Sequence, residues 1–207
     1  MNRSLIAACI GAGVSFAAFL ALIVMGIVWY IPVLIAVGAV MVLVSLWVLT
    51  GFLFRERLYE GFEKKFRARD FAGALTLVDR AESNHFLFPL LRILVYECYV
   101  KGELAVDNVS QSAKYVQLLR HNGGKGWKYR TAFYTVLFNL DWGDVAAAQE
   151  EFAEFEAACS HSPKHREELE ILRALLLHVM KVDVPYPDSV KNSPYPVVKR
   201  IVERDYL

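Results

Sequence analysis

The 207 residues carry 23 basic and 22 acidic side chains, a formal net charge of +1, and 56% of them are hydrophobic. That balance excludes an overall field for nucleic acid, while the hydrophobic share exceeds the ordinary globular range. Three cysteines are too few and too scattered for a disulfide framework and read as reduced, packed thiols.

The hydrophobic excess sits at the start. Leu5–Phe54 is a fifty-residue run without Asp, Glu, Lys, Arg or His. A bilayer core of ~30 Å takes about 20 apolar residues as helix, so this run is long enough for two crossings. Pro32 divides it, and the run reads as a transmembrane hairpin, residues 1–54, with helices over about 5–29 and 32–54. It is too long for a cleavable signal, and only two apolar residues precede the lipoprotein-like Ile6-Ala7-Ala8-Cys9. Ala7, Gly11 and Ser15 form a small-residue helix-packing face. It serves either the second helix of the hairpin, through Ala36, Ala39 or Val40, or a second copy of the chain as a homo-oligomer. The first use is preferred, because a short turn already holds that helix in place. No ionisable group lies within either span, which fits an anchor rather than a conduit.

Arg55–Arg69 follows with six basic residues against three acidic, while Asp70–Leu207 carries 16 against 19. Arg55, Arg57, Lys64 and Lys65 therefore read as membrane-surface contacts to anionic headgroups. Arg3 before the hairpin and this cluster after it place both termini and the following domain in the cytoplasm, with the protein integral to the cell (inner) membrane. Leu58, Phe62 and Phe66 continue a four-residue apolar spacing, so the second helix is expected to run on as one rod to Arg69.

Residues 55–182 have helical periodicity throughout, and the fold class is all-α. Helices are expected over Phe71–Ala81, from Phe86 to Val100 with an end at Gly102, and over Val109–Leu119 with Asp107 as N-cap. Others are expected over Trp127–Leu140 after a glycine-rich loop, over Val145–Ala158 capped by Asp144, and from Ser162-Pro163 to Val182. The helices pair: Asp70-Phe71-Ala72-Gly73-Ala74-Leu75 matches Gly143-Asp144-Val145-Ala146-Ala147-Ala148, with Lys101-Gly102-Glu103-Leu104-Ala105 at the middle turn. A period of about 34 residues built from a helix, a tight turn and an alanine-rich helix resembles the tetratricopeptide (TPR) repeat. The family's proline at the unit end is missing here. The resemblance implies a small TPR-like α-hairpin solenoid that binds a protein partner.

Residues 183–207 differ. Pro185-Tyr186-Pro187 recurs as Pro194-Tyr195-Pro196, followed by one short amphipathic helix at Val197, Val198, Ile201 and Val202. This segment is expected to be a strap folded back on the stack, with a free partner-binding tail as the alternative.

Little of the sequence points to catalysis. His161, His165 and Glu168 have near-metal spacing, but Pro163 interrupts the helix they would need. Gly123-Gly124-Lys125-Gly126 lacks the strand and the Ser or Thr of a phosphate loop. The expectation is therefore a non-enzyme with no catalytic residue, cofactor or metal. A membrane-anchored adaptor or scaffold would hold its partner through exposed aromatic and basic groups: Trp127, Tyr129, Arg130 and Trp142. The competing expectation is an accessory subunit of a membrane transporter or enzyme complex, packed through the hairpin.

Overall fold

The computed structural model describes residues 13–21, 31–123, 126–159, 162–183 and 185–204, and among them the chain is all-α, without a strand. A helical stretch over residues 13–21 precedes α1 (Ile31–Arg67). There follow α2 (Phe71–Glu82), α3 (Phe88–Ala105), α4 (Val109–Asn122), α5 (Gly126–Trp142), α6 (Val145–Cys159) and α7 (Arg166–Val179), the last entered through the 3-10 turn Pro163–His165. Two short helices close the chain, α8 (Asp188–Lys191) and α9 (Pro196–Glu203).

The α1 helix is 37 residues long and has two characters. Pro32 sits in its first turn, where a missing N–H costs nothing, and Lys64, Lys65 and Arg67 in the last turn complement the helix dipole. Its first half exposes Val33, Ile35, Val37, Val40, Leu43, Val44, Leu46 and Leu53, whereas Leu58 and Phe62 in the second half are buried. Among the described residues one helix, over Ile35–Arg67, is long and apolar enough to cross a membrane. Most of the expected first span lies outside the described residues. In its described part the Phe19 ring lies directly over Gly38, where a Cβ would collide with it. Gly38 is buried, while Ala36, Ala39 and Val40 are exposed. The Phe19 contact thus turns on the residue with no side chain.

Beyond Arg67 the chain repeats one device. Arg69, Asp107, Gly143 and Lys181 all have positive φ, at 59°, 64°, 85° and 59°. Each follows the end of a long helix (α1, α3, α5, α7), and the next amide donates back five residues: Asp70 to Lys65, Asn108 to Glu103, Asp144 to Asn139, Val182 to Leu177. This left-handed C-terminal cap satisfies carbonyls that the helix end would otherwise leave open. Asp70 and Asp144 then cap the following helices, accepting from Gly73 N–H at 2.9 Å and Ala147 N–H at 3.0 Å. The caps make antiparallel pairs of α1 with α2, α3 with α4 and α5 with α6.

The middle turn therefore falls at Asp107-Asn108, not at Gly102. Gly102 lies inside α3 and is buried, because Leu75 and Phe62 occupy the space its side chain would need. Asp107 is the left-handed residue of the turn rather than an N-cap, and Asn108 takes the N-cap position of α4. The last long helix ends at Val179, short of Val182, at the fourth such cap.

Helix α3 runs beside α1 in the same direction. Phe86 stands by Trp47, Leu90 by Gly51, Lys101 by Glu63 and Gly102 by Phe62. Phe62 is fully buried at this seam, among Leu58, Ala74, Val78, Leu91 and Val95. Phe62→Ala is expected to cost ~3–5 kcal/mol, since the surrounding helices cannot close the hole. Denaturant titration of the detergent-solubilised chain, followed by helical circular dichroism, checks this; a loss below about 1 kcal/mol would mean that the α1–α3 seam contributes little.

Candidate partner-binding cleft

The site is built by the C-terminal segment. After the fourth cap the chain does not form a partner helix for α7; its prolines hold it extended at Pro187 and Tyr195. The Tyr186 hydroxyl meets His178 Nδ1 of α7 at 2.6 Å. Val197, Val198 and Ile201 of α9 are buried against α3, α5 and α7. Arg200 ties α9 down with bonds of 2.7 Å to both Asp107 carboxylate oxygens and of 2.8 and 3.1 Å to the Asp141 carboxylate.

Tyr195 is the insertion point of this segment. Its ring lies 6.2 Å from Phe66, 6.0 Å from Phe133 and 6.4 Å from Tyr134, so one side chain joins α1 to α5. Burial pushes its hydroxyl up to about 12, against the pull of nearby Lys101 and a hydrogen bond shared with Tyr134. Burial also holds the Tyr134 hydroxyl well above its ordinary value, with the same neighbour contributing.

Between this strap and the α1–α2 turn lies an open cleft of about 600 Å³. Phe71, Tyr186, Val190, Pro194, Tyr195, Pro196 and Val202 give it apolar walls, and Arg69, Lys191 and Lys199 bring three positive charges to it. Lys191 lies 3.6 Å from Asp188 and Lys199 3.6 Å from Glu203, both exposed pairs that solvent weakens. Arg69 is exposed and has no ion pair among the described residues. An apolar trough with a cationic edge suits an apolar side chain carried next to a carboxylate.

The aromatic and basic groups singled out from the sequence are elsewhere and do not form one surface. Trp127 begins α5, half-buried over Gly123, with the Arg130 guanidinium 4.8 Å above its ring. Trp142 ends the same helix, 63% exposed, against Phe138. Fifteen residues of helix separate the two tryptophans by ~22 Å. The side chain of Tyr129 lies outside the described residues. Of the membrane-surface set, Arg55 and Arg57 are exposed just past the apolar stretch. Lys64 is exposed, ~15 Å of helix beyond Phe54. Lys65 instead bonds Asp70 at 2.7 Å and, with the Gly73 N–H, holds that carboxyl below its ordinary value. Of the small-residue face, Ala7 and Gly11 lie outside the described residues and Ser15 is half-buried.

His161 also lies outside the described residues, while His165 Nδ1 meets Glu168 at 2.6 Å. Among the described residues no three metal-ligating side chains converge. Cys98 is buried, and burial pushes its thiol up to about 12, so it packs rather than reacts. No protein-family model, curated protein or solved structure matches this chain. The cleft itself joins Arg69 to residues more than a hundred positions later, and the repeated Pro-Tyr-Pro was its one local signal.

The raised Tyr195 hydroxyl gives a pH test. Below pH 10 the group is protonated in both folded and unfolded chains and adds no pH dependence. From pH 10 to about 12 only the unfolded chain releases the proton, so stability falls as pH rises. Tyr195→Phe is expected to flatten that alkaline slope, read as the denaturant midpoint across the same range. An unchanged slope would mean that Tyr195 titrates in water.

Proposed function

We propose that this chain is a membrane-anchored adaptor. The segment 5–54 crosses the bilayer as a two-helix hairpin. A TPR-like stack over residues 55–182, closed by the strap, holds a protein partner at the cytosolic face of the cell's inner membrane. The observation that carries this reading is the two-sided character of α1, with lipid-compatible side chains exposed along Val33–Phe54 and the remainder built into the helical stack. The exposed stretch is ~32 Å long, the thickness of a bilayer core. The fourfold turn geometry supports the hairpin repeat.

The proposed partner is a protein segment with an apolar side chain beside an acidic group, seated in the cleft edged by Arg69, Lys191 and Lys199. Trp127, Tyr129 and Arg130 at the start of α5, and Trp142 at its end, are secondary candidate contacts. The alternative reading is an accessory subunit of a membrane transporter or enzyme complex, packed through the hairpin. The Phe19–Gly38 contact and the uncovered apolar side chains beside it favour this second reading.

Purification of the tagged chain in mild detergent, with mass spectrometry of what accompanies it, tests both. The adaptor reading expects a stoichiometric partner whose capture drops at least about tenfold when Arg69, Lys191 and Lys199 are all changed to Glu, and survives Gly38→Leu. The reverse pattern identifies a membrane-complex subunit. Loss only in Trp127→Ala and Arg130→Ala moves the interface to the start of α5. A homo-oligomer without a partner defeats both readings and leaves self-association.

A further inference from the structure

Phe86 is 69% exposed at the corner between α2 and α3, in the run His85-Phe86-Leu87-Phe88-Pro89-Leu90. Its carbonyl accepts the Trp47 indole N–H at 3.2 Å, and the two rings meet edge to face at 5.7 Å. Leu90, also exposed, packs on Gly51. Trp47 and Gly51 precede Phe54, the last residue of the charge-free run, by ~10 and ~5 Å of helix. The corner therefore stands alongside the stretch of α1 that exposes Leu46 and Leu53, not beyond it.

We propose that the α2–α3 corner dips into the lipid bilayer beside α1, with Phe86 inserted below the headgroups of the leaflet nearest the helical stack. This rests on the reading that α1 crosses the membrane. A bilayer core of ~30 Å laid over Val33–Phe54 reaches Phe54 and encloses Phe86 with it, because both are fixed to one rigid helix. The chemistry suits that depth. Phe86 is an uncovered aromatic continuous with the apolar surface of α1, and the Trp47 indole donor is already satisfied by the Phe86 carbonyl, so it enters lipid without an open N–H. Arg55, Arg57 and Arg92 are exposed at the level where the apolar surface ends, without an ion pair among the described residues. There they meet anionic headgroups. The corner thus adds a second, non-spanning membrane contact, which fixes how far the stack leans toward the bilayer.

Single cysteines at Leu43, Phe86 and Val106, each carrying an environment-sensitive fluorophore, test this in the purified full chain. The vesicles are phosphatidylcholine with phosphatidylglycerol, and spin-labelled lipids carry the label shallow or deep in the acyl chain. The unsubstituted chain, taken through the same labelling, gives the background from native cysteines. Leu43, 65% exposed on α1, loses emission chiefly to the deep label. The Phe86 site is expected to lose emission to the shallow label and to resist aqueous iodide. Val106, at the far end of α3 by ~27 Å, responds to iodide and to neither lipid label. If the Leu43 site is not quenched by lipid, the membrane reading itself falls and the corner with it. If Leu43 is quenched while Phe86 responds only to iodide, the corner stays in water and the proposal alone is wrong. If Phe86 is shielded from lipid and iodide alike, protein covers it, which also overturns the proposal.

Discussion

One unbroken helix governs the molecule. The α1 helix exposes apolar side chains along its first half and supplies the first wall of the helical stack with its second. No proline interrupts it after Pro32. Leu90 of α3 occupies the space a side chain at Gly51 would need, and Leu77 of α2 touches Gly61. What would be a weak point in an isolated helix serves, at Gly51, as the seat for α3. On the proposed membrane reading there is no linker, and the stack inherits its tilt and height from the rod. An adaptor built this way presents its cleft at a fixed distance from the bilayer rather than sweeping a volume.

What recurs along the stack is a turn geometry. Four left-handed caps stand 38, 36 and 38 residues apart, and only one of them is glycine. Arg69, Asp107 and Lys181 hold a conformation that costs a side-chain-bearing residue about 1 kcal/mol or more. Each is held there by the hydrogen bonds on either side of the turn, and Asp107 also by Arg200. After the fourth cap the pattern stops: where a pairing helix would come, the strap crosses back and buries α9 against α3, α5 and α7. On the proposed repeat reading, it covers apolar surface that a further pair would have covered, the task of a terminal unit.

Periodicity alone exposed much of this. The charge-free run, the continuation of α1 past Phe54 and most helices from α2 onward follow from apolar spacing, and Asp144 caps where its position implies. The errors share a cause. Gly102 resembles a turn and is a packing residue; Asp107 resembles an N-cap and is the turn. Local preference does not reveal whether a glycine is needed for its backbone or for its missing side chain, because a neighbour distant in sequence decides it. For Gly102 that neighbour is Leu75, and for Gly38 it is Phe19. The cleft was illegible for a stronger version of the same reason, since its walls come from opposite ends of the domain. The tryptophans were visible as residues, but the helix that carries them sets them at its two ends.

The Tyr195 contacts also set an order of events during synthesis. Phe66 in α1 waits for Tyr195, made long after it, and Asp107 waits for Arg200 across 93 positions. The helical pairs are local and can form as the chain emerges, but the strap can lock only after all of them have been made. Until then the seats of Tyr195 and α9 lie open on a chain whose apolar start is already made. The nascent protein therefore passes through a stage in which its stack is assembled but unsealed, and a chain stopped before Tyr195 remains there.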